Sequence, residues 1–391
     1  MRKTAAVVII GGGVMGASIA YHLAMRSCTD VVLLEAKSLA AEGTGHSGAL
    51  VRQHYSQDVV TEIALRSVRM FERFEELTGE RNVFQQTGWI KIGSDAMRPE
   101  MERLVVRHRK IGVDVRMLSL HDLAEMIPGI NTEGIGAGLY EPRGGYADPV
   151  ATTLGFANTA RTLGVEINEG VAATGVRLQK KKVMAVETTA GTVKTPVVID
   201  AAGPWGARVA AWAGINVPMQ ITREQDIVLD CDDKSLMPRY PVSNGVDRDY
   251  WRREAGTMLL VGDGHPKEIE YADPDDFKRQ ADLSFQEMIA ARLRHRLPAF
   301  AEHARVVRGY ASLYDVTPDW HPVLGRVADV DGFLLCVGFS GHGFKLGPAI
   351  GQLMAEEVLD GKAHTIDISS LSLNRFSDKK LLMGSYAGNQ A

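Results

Sequence analysis

The sequence predicts an α/β fold with an α+β part, and three observations carry that reading. An apolar run, a glycine-rich turn, an amphipathic segment and a second apolar run follow one another within the first 35 residues. The same order of apolar run, glycines and amphipathic segment returns near residue 340. Between them lie stretches with the two-residue alternation of antiparallel strands.

Taken in order, Ala5 to Ile10 reads as a strand, Met15 to Met25 as a helix and Asp30 to Leu34 as a second strand. Together they make one βαβ unit whose strands are buried on both faces. Glu62 to Leu77 places Ile63, Val68, Phe71, Phe74 and Leu77 at helical spacing. A helix from Pro149 to about Leu163 leads into short strands at Val165 to Asn168, Ala172 to Leu178, Val183 to Thr188 and Val193 to Asp200, with Gly191 at the turn between the last two. Gln220 to Asp230, Thr257 to Val261 and Val306 to Leu313 alternate as antiparallel strands do, and a long helix, Asp275 to Leu297, stands among them. Phe333 to Phe339 is a strand and Phe344 to Leu359 a helix. There is no internal repeat, and the last dozen residues have the composition of a loose tail.

With 391 residues, 45% hydrophobic and 24% charged, the chain has enough apolar surface for two lobes around a sizeable core. A formal charge of -4, with no basic block beyond Lys180-Lys181-Lys182 at a strand turn, gives no footprint for nucleic acid. The opening MRKTAAVVII has the look of a signal peptide, but it runs straight into Gly11-Gly12-Gly13, as a strand end does. No stretch approaches the roughly 20 apolar residues of a membrane span. Cys28, Cys231 and Cys336 are widely spaced and odd in number, which supplies neither a disulfide framework nor a metal-binding pair. No metal is expected, and a reducing cytoplasm suits this composition.

Gly11-Gly12-Gly13-Val14-Met15-Gly16 is a GxGxxG at a strand-to-helix junction. Gly11, Gly13 and Gly16 permit a tight turn and close approach of backbone to a pyrophosphate, while Val14 and Met15 present the unpaired N–H groups of the helix start. Glu35, followed by Ala36, closes the second strand where a carboxylate accepts hydrogen bonds from ribose hydroxyls. This is the pattern of a Rossmann-like dinucleotide site. Glu35 would repel a 2'-phosphate, so NADP is disfavoured, and FAD and NAD both remain open on this motif.

Two later segments bear on that choice. Asp200-Ala201-Ala202-Gly203-Pro204-Trp205 ends a strand in small residues, so that backbone can approach a planar ligand near Ala202, Gly203 and Trp205. Gly338-Phe339-Ser340-Gly341-His342-Gly343-Phe344-Lys345 again sets glycines, Gly341 and Gly343, between a strand and a helix. Phe344 and Lys345 open that helix, whose N–H groups and dipole suit an electron-rich ring; a reduced flavin carries negative charge near N1 and O2.

With these, Gly45-His46-Ser47-Gly48-Ala49-Leu50-Val51-Arg52-Gln53-His54-Tyr55, Gly144-Gly145-Tyr146-Ala147-Asp148-Pro149 and Thr317-Pro318-Asp319-Trp320-His321-Pro322 resemble the D-amino-acid oxidase superfamily of flavoproteins. Within it the chain is most similar to sarcosine oxidases, the β subunit of heterotetrameric sarcosine oxidase, and dimethylglycine or proline dehydrogenases. The resemblance runs from Val7 to about Leu359. It implies a Rossmann-like FAD-binding domain in three pieces, 1–82, 147–215 and 321–372, interleaved with an antiparallel-sheet substrate domain, 83–146 and 216–320, and followed by a tail, 373–391. It also implies that Val171 meets the adenine side through its backbone, and that the loop holding Thr44, Gly45, Ser47 and Gly48 lies along the flavin.

The same resemblance implies oxidation of a carbon–nitrogen bond in an amino acid or N-alkyl amino acid, with FAD bound non-covalently. Relatives tether flavin through a cysteine where this chain has Ser312, or through a histidine where it has Asp148-Pro149. Arg52 and Lys345 stand where similar cations hold the substrate carboxylate; the arginine that some relatives use instead is replaced by Tyr314. His54, Tyr250 and His342 are candidates for tuning the protonation of the substrate amine. Leu260 stands where an oxygen-activating lysine occurs in a relative, which predicts a dehydrogenase or a slow oxidase. Its electron acceptor, oxygen, a quinone or a partner protein, is left open, as is homo- or hetero-oligomerisation. A second reading is a non-catalytic or electron-transferring flavoprotein subunit, and a third is an NAD-dependent dehydrogenase sharing only the first motif.

Overall fold

A computed structural model describes residues 1–81 and 83–384. Ala5 to Ile10 is too apolar to lie at a surface, and its core, Val7–Ile10, occupies the interior of a six-stranded sheet. Across the sheet the order is Val323–Arg326, Phe333–Val337, Val198–Asp200, Val7–Ile10, Val31–Glu35 and Glu166–Glu169. All neighbours are parallel except the first pair. The chain leaves Val7–Ile10 toward one side and returns on the other only at Val198–Asp200. That reversal opens a crevice at the strands' carboxyl ends, where ligands bind in such sheets. Val14–Met25, Pro149–Thr162 and Gly343–Leu359 pack together on one face in a core that includes Ile19, Leu23, Phe156 and Ile350.

The second large sheet has eight strands, ordered Ala304–Val316, Gln220–Cys231, Met258–Asp263, Asp249–Arg253, Val242–Asn244, Trp89–Gly93, Ala137–Glu141 and Arg116–Leu118. Its pairs are antiparallel apart from Val242–Asn244 against Trp89–Gly93. Side-chain alternation assigns its two faces. Ile227, Trp251, Leu259 and Val261 point into a core closed by Ile289 and Leu293 of the Leu283–Arg296 helix. The residues between them point the other way, toward the crevice.

Several sequence expectations shift. The helix expected over Glu62 to Leu77 is two, Asp58–Phe71 and Phe74–Thr78, because the chain turns at Glu72, whose carboxylate accepts from Arg143 Nε at 2.7 Å. The strand expected over Val193 to Asp200 divides at Pro196, which has no N–H to donate: Gly191–Lys194 closes a hairpin with Lys182–Thr188, and Val198–Asp200 joins the parallel sheet. The long helix expected from Asp275 begins only at Leu283. Arg223, buried beneath the preceding residues, draws them into extended backbone by donating to the carbonyls of Lys278 and Gln280 at 2.8 and 2.6 Å. The C-terminal segment is not loose at its start, since Arg375 forms a two-pronged ion pair with Asp319 at 2.8 and 2.9 Å. Leu382 N–H donates to the same carboxylate at 3.1 Å. The last residues of the expected tail, 385–391, lie outside the described residues. No helix among the described residues is long and apolar enough to cross a membrane.

Candidate functional site

A cavity of about 770 Å³ runs from the glycine turn after Val7–Ile10 to a face of the eight-stranded sheet. At the first end, Gly11 holds a φ of +112°, and a Cβ there would sit 2.3 Å from the Ala201 carbonyl oxygen. Gly16 brings the Val14–Met25 helix onto that turn, for its Cβ would lie 1.9 Å from Gly11 O. Gly12, Gly13, Val14 and Met15 line the cavity; Gly16 lies behind them as a packing residue. Thr44 Oγ1 accepts from Val14 N at 3.1 Å, tying the helix start to a second lining loop.

Glu35 and Ala36 line the same end. One Glu35 oxygen accepts from Gly12 N at 2.7 Å and the other from Lys37 N at 2.7 Å, so the acid also braces the turn. Thr44, Ser47 and Gly48 line the middle of the cavity, whereas Gly45 packs against Ala40 O. Val171 is set back: its N–H donates to Glu35 O at 2.9 Å, and Ala172 and Ala173 are the residues that reach the lining. Ala202, Gly203 and Trp205 line it from the other side of the crevice, and Trp205 Nε1 donates to Asp275 at 2.7 Å.

The far end is richer in side chains. Gly341 (φ +81°) lies against the Tyr314 ring: a Cβ there would sit 2.2 Å from ring carbon Cε2. Gly343, Phe344 and Lys345 line the cavity from the start of Gly343–Leu359, with His342 as the helix N-cap residue. Arg52 faces them. Its guanidinium lies over the Tyr55 ring at 4.5 Å and the Trp89 ring at 5.6 Å and donates to His54 O. No carboxylate forms an ion pair with Arg52 or Lys345 among the described residues. Burial, reinforced by Arg52, holds the Lys345 ammonium well below its ordinary range. Burial likewise drives His54 and His342 well below the usual imidazole range, so both rings are neutral near pH 7. His342 stands edge-on to Tyr55, with ring centroids 5.6 Å apart.

Tyr250 lines the sheet face together with residues that the sequence reading did not single out: Trp89, Lys91, Glu224, Asp226, Ser243 and Asp249. Burial, then Arg52, pushes Lys91 down to about 7. The only cue to these residues was a polar side chain breaking an apolar run, as in Trp89-Ile90-Lys91-Ile92. Leu260 is buried but is not among the lining residues, so its aliphatic character does not set the charge of the cavity; Lys91 and Lys345 do line it. Ser312 and Tyr314 are lining residues. Asp148 instead caps the Pro149–Thr162 helix, accepting from Val150 N and Ala151 N at 2.9 Å each. His54, His108 and Glu141 bring possible metal-ligand atoms within 4.8 Å of one another. Arg52 and Lys91 stand beside that group, and their charges oppose a cation there.

A dinucleotide suits this cradle, for backbone N–H groups and glycine surfaces gather at one end and a side-chain-lined space at the other. The family match decides which one: residues 6–357 match the DAO family, FAD dependent oxidoreductase. The chain belongs to that family. FAD is therefore its cofactor, and the cavity lined by Gly11 to Met15, Glu35 and the loops described above is the space available to it.

Among curated relatives the chain is 29% identical over 389 residues to a mitochondrial sarcosine dehydrogenase of Mus musculus, covering 96% of this chain and 42% of that protein. It is 30% identical over 377 residues to a 4-methylaminobutanoate oxidase (formaldehyde-forming) of Paenarthrobacter nicotinovorans, covering 95% of this chain and 45% of that protein. The chain thus spans under half the length of these relatives. Among solved structures, L-proline dehydrogenase from P. horikoshii superposes with a TM-score of 0.91 at 24% identity, over 98% of this chain and 100% of that one. This likeness is one of fold.

Proposed function

We propose that this DAO-family oxidoreductase oxidises the carbon–nitrogen bond of an amino acid or N-alkyl amino acid whose free carboxylate is held by Arg52 and Lys345. The observation that carries the reading is the pair itself: Arg52 and Lys345 face one cavity, and neither forms a salt bridge with a carboxylate among the described residues. A buried charge without a partner is costly, and a substrate carboxylate relieves that cost. The planar guanidinium, fixed between Tyr55 and Trp89, offers two parallel donors, and the ammonium adds a point charge.

Bound FAD would supply the hydride acceptor for the carbon beside nitrogen, and water would then hydrolyse the resulting imine to a carbonyl compound and an amine. The chain's own part is to bind, orient and set protonation. Neutral His54 and His342 leave Arg52 and Lys345 as the cations that fix the carboxylate. The aromatic lining residues Trp89 and Tyr314 keep water from the reacting carbon. In the proposed division, 1–82, 147–215 and 321–372 hold FAD, and 83–146 with 216–320 supply the substrate wall.

The test is anaerobic bleaching of the purified, FAD-loaded protein by a panel of N-methyl, cyclic and primary amino acids of both hands. Bleaching by one or more of them, without any partner, is the expected result. A flavin untouched by the whole panel would reject the reading in favour of an electron-transferring or non-catalytic subunit.

A further inference from the structure

One wall of the cavity is a face of the eight-stranded sheet, and a single cross-strand row on it reads Lys91, Ser243, Tyr250, Gly262, Asp226, Tyr310. Residues in register on neighbouring strands share a face. The adjoining row, with Trp251, Val261 and Ile227, turns to the core beneath the Leu283–Arg296 helix. A glycine in the middle of a central strand gives up packing and needs a reason. Here the reason is on view. The Tyr250 side chain crosses the empty position and donates a 2.6 Å hydrogen bond to Asp226 Oδ1. A Cβ at Gly262 would lie 2.1 Å from that oxygen and 2.4 Å from the tyrosine hydroxyl.

Both partners line the cavity, and Asp226 is 5% exposed. The tyrosine ring also reaches the flavin-side loop, since a Cβ on Gly48 would lie 3.0 Å from its Cε2. The charged neighbours have partners of their own: Glu224 pairs with Lys267 at 2.6 Å and Arg252 with Glu254 at 2.5 Å. Tyr310 and Tyr314 face the pair from the Ala304–Val316 strand. Asp226 has no ion pair among the described residues; burial and the tyrosine hydrogen bond act on its proton most, with smaller effects from the charges of Lys267, Glu224 and Arg252. Burial raises that carboxyl to about 7, opposed by the tyrosine hydrogen bond and the charge of Lys267. Burial, then the nearby Asp226, holds the Tyr250 hydroxyl well above its ordinary range, so it can relay a proton but not lose one alone.

We propose that Tyr250 and Asp226 act as one proton acceptor for the ammonium group of the bound substrate, delivering the neutral amine that oxidation requires. This rests on the amine-oxidation reading above. The ammonium N–H bond breaks and its proton passes to Tyr250 Oη as the tyrosine's own proton passes to Asp226 Oδ1. Nitrogen keeps the electron pair, the hydroxyl is restored, and the carboxylate becomes a carboxylic acid. Tyr250 touches the substrate; Asp226 works through it as a positioning and proton-storing residue. Gly262 keeps the path between them open.

The experiment measures the rate of anaerobic flavin reduction against pH, for the FAD-loaded wild type and for Asp226→Asn, Tyr250→Phe and Gly262→Ala. A second readout needs no turnover: the pH dependence of 2-aminoisobutyrate binding, followed by perturbation of the flavin spectrum. That amine has neither an α C–H nor an N-alkyl group to oxidise. In the wild type the reduction rate should rise through an inflection near neutrality. Each variant should move the inflection up toward the amine's own pKa, lowering the neutral-pH rate by roughly tenfold or more while the alkaline plateau survives. The binding curve should shift in the same direction. A neutral-pH rate within about twofold of wild type in all three variants overturns the proposal, as does a loss by the same factor at every pH. A wild type that no amino acid bleaches overturns the amine-oxidation reading, and this inference with it, whereas a bleached wild type with unmoved profiles overturns this inference alone.

Discussion

The two ends of the cavity are built from different materials. At the parallel-sheet end the binding surface is backbone: Gly11 at φ +112°, the N–H groups at the start of Val14–Met25, and the small residues Ala201, Ala202 and Gly203. At the antiparallel-sheet end it is side chain: Arg52, Lys91, Asp226, Tyr250 and Lys345, from five separate segments. A phosphate chain is the same in every relative, so a contiguous turn can serve it. A substrate differs from one enzyme to the next, and a wall assembled from many strands can change one residue at a time without disturbing the cradle.

The sharpest way to break this contrast is Gly13→Val. Its Cβ would start 3.0 Å from Thr44 Oγ1, and the branches beyond it would fill the pyrophosphate's place. The purified variant should carry no flavin absorbance; a yellow protein would show that the cradle is not backbone-limited. Next in size is Arg375→Ala, which leaves Asp319 buried without its ion pair and should cost about 3–5 kcal/mol in denaturant unfolding. Burial opposes ionisation of Asp319, yet Arg375 holds it below the ordinary carboxylate range. Its contribution is thus present above the unfolded-state value and lost as pH falls through the folded one, so the wild type's advantage over the variant should shrink in acid.

At the side-chain end, Arg52→Ala and Lys345→Ala should each weaken apparent substrate affinity by about 1.5–3 kcal/mol, roughly ten- to a hundredfold. Changes within about twofold for both would remove them from the site. The Lys345 ammonium is depressed in the free protein and raised again by a bound carboxylate. Binding should therefore take up protons, and affinity should fall as pH rises between the two values; calorimetry in buffers of different ionisation enthalpy measures this. Below neutrality, where Lys91 is protonated, Lys91→Met should slow oxygen's reaction with the reduced enzyme by about an order of magnitude, with dye reduction less affected, because a positive charge in the cavity stabilises developing superoxide. Unchanged reoxidation would leave Lys345 as the charge that matters. The smallest change is in how FAD is held: Ser312 forms no thioether, so acid should release a yellow supernatant, and flavin retained by the pellet would contradict a non-covalent cofactor.

What could be read from the sequence divides along the same line. The βαβ unit, its glycines and Glu35 were legible because each contact is made within one short stretch, where tight backbone geometry admits few residue types. Arg52 and Lys345 were picked out through resemblance to motifs that keep their order along the chain, and both line the cavity; Tyr250, also a lining residue, lies outside every such motif. The elements that shifted were those governed by distant partners: Arg223 drawing 278–280 out of a helix, Arg143 turning the chain at Glu72, and Arg375 docking a segment that reads as tail.

The sequence by itself determined the glycine turn and the FAD family and pointed to the two cations, since local sterics and motif order need no tertiary partner. Only the tertiary structure decided that Lys91, Tyr250 and Asp226 share one row with Gly262 between the last two. Residues 91, 226, 250 and 262 have no relation along the chain, and cross-strand register, set by the burial of alternate side chains under the Leu283–Arg296 helix, brings them to one face.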